Sequence, residues 1–145
     1  MRNNDERGWL FSSGQASKAT GMEKLRKNQG SFLKSFVYAW AGLSHAFKTQ
    51  RNMKIHGCLA LLALVLCGIF KVTAEEWLAV VICIGAVIGL ECLNTALEAV
   101  VDLASPEIHP LAKTAKDCAA GAVLVMAFVS VAVACIIFLP RIVAL

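Results

Sequence analysis

Charged and aromatic side chains are scarce in this 145-residue chain: 17% of residues are charged, 8% are aromatic, and there is one tyrosine. Most of the charge lies outside three apolar blocks, residues 57–70, 77–90 and 118–139. The chain has no Walker A loop and no glycine-rich kinase loop, so nucleotide binding cannot be claimed from either standard device. Its six cysteines (Cys58, Cys67, Cys83, Cys92, Cys118 and Cys135) form no CxxC and no zinc-like pairing with histidine. They imply no disulfide framework and read as small hydrophobes in helix packing. No basic segment, apolar core and cleavage site stand in succession at the start, so no removed signal peptide is expected. The three prolines lie outside the blocks: Pro106 and Pro110 bracket the break after the second, and Pro140 is expected to close the third.

What the chain does have is hydrophobicity, at 58% of residues and a mean hydropathy of +0.67. This exceeds a soluble globular average, and 15.5 kDa leaves room for one domain at most. The third block alone is long enough to span a bilayer. The first two are short, and each by itself also fits a buried core helix. Extending the first through Ile55 and Val72, and the second as far as Val101, gives adequate length. The expected fold is an all-α integral membrane protein with three transmembrane helices, at about 55–72, 77–101 and 117–139. An N-terminal amphipathic surface helix is expected over 31–50, where Phe32, Phe36, Trp40, Leu43 and Phe47 recur at spacings of 4, 4, 3 and 4. Residues 1–30 mix Gly, Ser, Asn, Gln and charges without an apolar period, the composition of a flexible basic tail in contact with anionic lipid. Gly85 and Gly89 make a GxxxG pattern that permits close helix approach and self-association.

Ten lysines and arginines precede the first span, and Lys113 and Lys116 lie between the second and third. Only Lys71 and Arg141 fall on the other side. This asymmetry puts the N-terminus and the second connection in the cytoplasm.

The second apolar block runs directly into Glu91-Cys92-Leu93-Asn94-Thr95-Ala96-Leu97-Glu98-Ala99-Val100-Val101-Asp102. At about 100° per residue, Glu91, Asn94, Glu98 and Asp102 fall on one narrow helical face. Ionisable groups within a membrane segment are costly and point to function by default. Carboxylates, an amide and the nearby Lys116-Asp117 at one membrane surface suit a Mg²⁺-bound polyphosphate. Lys116 would neutralise phosphate charge, one carboxylate would hold the metal, and another would take a proton from an attacking hydroxyl. That hydroxyl would most simply belong to a lipid. On this physics alone an ion or proton pathway and a purely structural intersubunit polar network remain open beside phosphoryl chemistry.

The same residues, followed by His109-Pro110-Leu111-Ala112-Lys113 and Ala115-Lys116-Asp117, resemble the small bacterial diacylglycerol kinase family. The match has the form E-x-x-N-[ST]-A-[IL]-E-x-x-V-D, then H and A-K-D. It extends upstream through Tyr38-Ala39-Trp40-Ala41-Gly42-Leu43 and Arg51-Asn52-Met53-Lys54, and covers roughly residues 31–142. Arg51-Asn52 and the His109-Pro110 loop resemble the Gram-positive branch, which includes undecaprenol kinases.

The resemblance implies an ATP- and Mg²⁺-dependent lipid kinase of the bacterial plasma membrane, usually a homotrimer, with a membrane lipid alcohol as substrate and no nucleic-acid partner. Undecaprenol is the favoured alcohol and diacylglycerol the second. By motif position Glu91 matches the catalytic base and Glu98 a metal ligand near the nucleotide phosphates. Tyr38, Glu107, His109, Lys116 and Asp117 match nucleotide contacts. Asn94 matches a residue that positions substrate or base, and Lys34, Trp40 and Arg51 are assigned with it and Glu91 to lipid binding. Asp102 is divided between a structural and a functional role. One departure stands out: the family usually carries a glutamate where this chain has Gln50, and that glutamate joins the one at Glu98 on the metal. A glutamine offers a carbonyl oxygen but no charge, so Mg²⁺ is expected to bind less tightly.

Overall fold

A computed structural model of the chain describes residues 32–105, 107 and 109–144. The expectation for the tail over 1–30 lies outside the described residues. Four helices follow in order, α1 Phe32–Thr49, α2 Arg51–Phe70, α3 Ala74–Ala104 and α4 Pro110–Val143, and no strand occurs among the described residues. The chain divides into two units between Ala41 and Gly42, within α1. The first contributes one helical segment, in which Phe36, Val37, Tyr38 and Trp40 are all exposed. The second comprises the last turns of α1 with α2, α3 and α4.

The connections are short and each has a local cause. Gln50 alone separates α1 from α2 and is extended, at φ −91° and ψ 123°. Lys71 ends α2 in the left-handed region, at φ 47° and ψ 52°, with its N–H donating to the Cys67 carbonyl. Thr73 then opens α3 with a capping box: its Oγ1 accepts from the Glu76 N–H at 3.4 Å, and its own N–H donates to Glu76 Oε2 at 2.8 Å. These two bonds satisfy donors that a helix start would otherwise leave free. His109 caps α4, with Nδ1 accepting from the Leu111 N–H at 3.2 Å, and Pro110 occupies the first helical position, where a missing N–H costs nothing.

Pro140 does not close the last helix as expected. It lies inside α4, which continues to Val143. So close to a helix end, a proline removes one backbone bond and the final turn can still form.

α3 and α4 pack most extensively, and α2 packs more on α3 than on α4. Cys67, Val72, Val80, Ile137 and Phe138 form the core where α2 ends and α3 begins, with the Phe70 and Phe138 rings 6.2 Å apart. At the opposite end of α2, Ala46 and Met53 are fully buried. There Gly57 admits the Phe47 ring, since a Cβ at Gly57 would stand 2.9 Å from Phe47 Cε1.

α2, α3 and α4 are each long and apolar enough to cross a membrane. Their outer faces carry large exposed hydrophobics, among them Leu61, Ile69, Leu78, Phe128 and Ile136. An apolar surface of this extent is costly in water and at home in hydrocarbon. Gly85 and Gly89 are also exposed, and a Cβ at either would meet nothing within 4 Å on another helix among the described residues. The close approach their spacing permits is therefore not made among those residues.

Candidate active site

The polar stripe on α3 is graded. Glu91 is 2% exposed and Asn94 8%, Glu98 is half-buried, and Asp102 is exposed. The helix thus carries carboxylates from the protein interior to its surface over three turns.

Glu98 is the meeting point. Its Oε1 accepts from Asn94 Nδ2 at 3.1 Å, one helical turn earlier. Its Oε2 accepts from Gln50 Nε2 at 3.0 Å, 48 residues away in sequence. Gln50 occupies the N-cap position of α2, yet its side chain makes no capping bond there. It reaches across to α3 instead, so the break between α1 and α2 delivers a polar arm to the stripe.

Glu91 is held differently. Nε2 of His56, on α2, approaches its Oε1 to 3.3 Å, and among the described residues Oε1 has no hydrogen-bond partner. Asn94 Oδ1 is also buried without a donor. Leaving a buried acceptor unsatisfied costs on the order of 1–3 kcal/mol, so two of them three residues apart on one face need an explanation. His56 escaped the reading of the sequence. The available signal was its type and place: an ionisable side chain in a segment that proves to belong to the first apolar helix.

An apolar groove of about 250 Å³ runs between α2, α3 and α4, walled by residues such as Leu59, Leu66, Ile84, Val131 and Phe138. His56 also lines it, about one turn before Leu59 and toward Glu91.

Nearer the surface, Lys116 Nζ pairs with Asp102 Oδ1, linking α4 to α3. Lys113 pairs with Asp117 one turn along α4. Glu107 is exposed, and its carbonyl accepts from Ser105 Oγ at 3.0 Å. His109 serves α4 as its cap, and Arg51 is exposed at the start of α2. Lys34, Tyr38 and Trp40 are exposed on the part of α1 that precedes the unit boundary. Of the residues singled out in the sequence, the structure joins Gln50, Asn94 and Glu98 directly, with Glu91 one turn before Asn94. It joins Asp102 to Lys116 separately. Among the described residues no three His, Cys, Asp or Glu side chains converge on one point.

The bundle of α2, α3 and α4 carries a buried carboxylate, a second carboxylate clasped by two amides, and a lysine paired to a third carboxylate at the helix ends. The family profile of prokaryotic diacylglycerol kinase matches residues 37–138, and the chain belongs to that family. It is 43% identical to an undecaprenol kinase of Bacillus subtilis over 117 residues, which is 80% of this chain and 94% of that one. It is also 43% identical to a diacylglycerol kinase of Synechocystis over 135 residues, covering 90% and 77% of the two chains. A diacylglycerol kinase of Escherichia coli is 33% identical over 122 residues, covering 84% and 94%.

Proposed function

We propose that this lipid kinase phosphorylates undecaprenol, with Glu91 as the general base. The observation that carries the reading is Glu91 itself: a buried carboxylate whose Oε1 lacks a donor, beside a second orphaned acceptor on Asn94. A substrate hydroxyl supplies the missing donor. Its proton passes to Glu91 as its oxygen bonds to the γ-phosphorus of ATP, and the bond from that phosphorus to the bridging oxygen breaks to release ADP. Asn94 is assigned to positioning the substrate or Glu91, one turn before it.

The donor set at Glu98 fits a hard cation. A Mg²⁺ ion commonly takes one or two carboxylates and fills its remaining positions with water and substrate phosphate oxygens. Glu98 offers the carboxylate, and Gln50 offers an amide oxygen once its side chain turns from donating to accepting. When bound, Mg²⁺ would neutralise charge building on the phosphates. Lys116 and Asp117 are assigned to nucleotide, with Glu107 and His109 from the adjoining loop and Tyr38 from α1. Lys116 would exchange Asp102 for phosphate. Lys34, Trp40 and Arg51 are assigned to the lipid at the membrane surface.

The favoured setting is the bacterial plasma membrane with the N-terminus in the cytoplasm, as the placement of lysine and arginine argues. A homotrimer is the proposed assembly. The outer part of the polar stripe, Glu98 and Asp102, stays partly or fully exposed in the single chain, and the outward Gly85 and Gly89 suit helix-to-helix contact. Undecaprenol is preferred because the Bacillus subtilis relative carries that name over nearly its whole length. Diacylglycerol is the second reading, favoured by the equal identity of the Synechocystis relative.

Transfer of labelled phosphate from ATP to undecaprenol and to diacylglycerol, side by side in mixed micelles with Mg²⁺, tests the proposal. Preferential labelling of undecaprenol is expected. Preferential labelling of diacylglycerol would replace the substrate, and labelling of neither would overturn the reading.

A further inference from the structure

We propose that His56 is a positioning residue for Glu91, an assignment that rests on Glu91 being the base. The two side chains come from different helices, α2 and α3, and meet at 3.3 Å between His56 Nε2 and Glu91 Oε1. Among the described residues no hydrogen bond reaches that oxygen. His56 is therefore the side chain placed to fix where Oε1 stands.

A carboxylate oxygen carries two lone pairs, so the imidazole edge at 3.3 Å can hold Oε1 in place while a lone pair stays open to the substrate proton. A buried carboxylate next to hydrocarbon needs such a neighbour, because isolated charge is strongly disfavoured there.

The ring also faces the apolar groove between α2, α3 and α4, and its side chain is 20% exposed. His56 thus forms a polar end of a mostly apolar wall, at the point where that wall meets the carboxylate. A side chain serving only as groove wall would show its worth in folding or in lipid affinity. A side chain that positions Glu91 shows it in the rate of phosphoryl transfer, and only while Glu91 is present.

The experiment measures ATP-dependent phosphorylation of undecaprenol in mixed micelles by the full chain. Wild type is compared with His56→Ala, His56→Gln, Glu91→Gln and the double variant His56→Ala/Glu91→Gln. His56→Ala should lower kcat by roughly 30-fold, less than loss of a general base itself, with the KM for ATP unchanged. His56→Gln, which keeps an N–H donor and covers a failure of the alanine variant to fold, should recover part of the rate. Added imidazole should restore His56→Ala. The double variant should be no slower than Glu91→Gln alone. Wild-type kcat in both His56 variants, or losses that multiply in the double variant, would overturn the role of His56 and leave Glu91 as base. Full activity in Glu91→Gln would overturn the base assignment, and His56 as its positioning residue with it.

Discussion

The two ends of the helix bundle are built from similar side chains to opposite effect. Where α2 turns into α3, Glu76 accepts from the Thr73 N–H and from Arg141 Nη2 at 2.8 Å, and Thr73 completes the capping box. Arg141 also donates to the Ile137 carbonyl, above a core of Cys67, Val80 and Phe138. At the other end, Glu91 and Asn94 are more deeply buried than Glu76, yet each holds an acceptor without a donor. A glutamate with its partners in place holds helices together. A glutamate buried more deeply and left short of a partner stores unspent hydrogen-bonding capacity, and the reaction proposed here uses it.

Exchange of the carboxylate for an amide should separate the two ends most sharply. Glu91→Gln should reduce kcat by about 10³-fold, within the range for loss of a general base. It should leave the thermal unfolding temperature unchanged or raised, because a buried carboxylate short of a donor contributes little to stability. Turnover and thermal unfolding measured on the same preparation check this. Unfolding at markedly lower temperature with proportionate loss of activity would make the two ends alike.

Gln50→Glu sharpens the contrast in the opposite direction, by adding charge where the cluster has least. It sets a second carboxylate against Glu98 in place of the 3.0 Å amide bond. The Mg²⁺ concentration for half-maximal activity should fall by roughly tenfold, equivalent to about 1.4 kcal/mol of tighter binding, and kcat should rise. A Mg²⁺ titration of the two proteins decides it: an unchanged midpoint would remove Gln50 from the metal site.

Much of this architecture was legible along the chain. The three apolar blocks announced three long helices, because hydrocarbon demands length and leaves little choice of structure. The stripe of Glu91, Asn94, Glu98 and Asp102 was legible because one helix carries all four at fixed angular spacing. His56 was not, since its meeting with Glu91 depends on how α2 packs against α3, which periodicity within either helix does not encode. The partners of Lys116 were hidden for the same reason: only folding shows that Asp102 of α3 neutralises it. Pro140 misled in another way. A proline marks a helix boundary on average, but the end of α4 is set by the turns that still form after it.

The satisfied end offers a smaller effect. Thr73→Ala removes the acceptor for the Glu76 N–H and should cost about 1 kcal/mol of stability. The kcat of the folded enzyme should not change, since Thr73 lies at the far end of α3 from Glu98. Equilibrium unfolding paired with kcat per folded molecule measures both, and a fall in kcat would couple the ends that the structure keeps apart.

Gly57→Ala should have the smallest effect and tests the link between packing and site. Alanine in a helix is favoured over glycine by about 1 kcal/mol. Its Cβ, however, would stand 2.9 Å from the Phe47 ring and push that ring aside. The two effects oppose, so stability should barely move. Phe47 is three residues before Gln50, in the last turn of α1, so displacing it disturbs the arm that reaches Glu98. The expected signature is a shift of a fewfold in the Mg²⁺ midpoint with near-native unfolding, and it should vanish when Gln50 is replaced by alanine in the same chain. Persistence of the shift without Gln50 would mean that Phe47 acts on the metal site by a route other than this side chain.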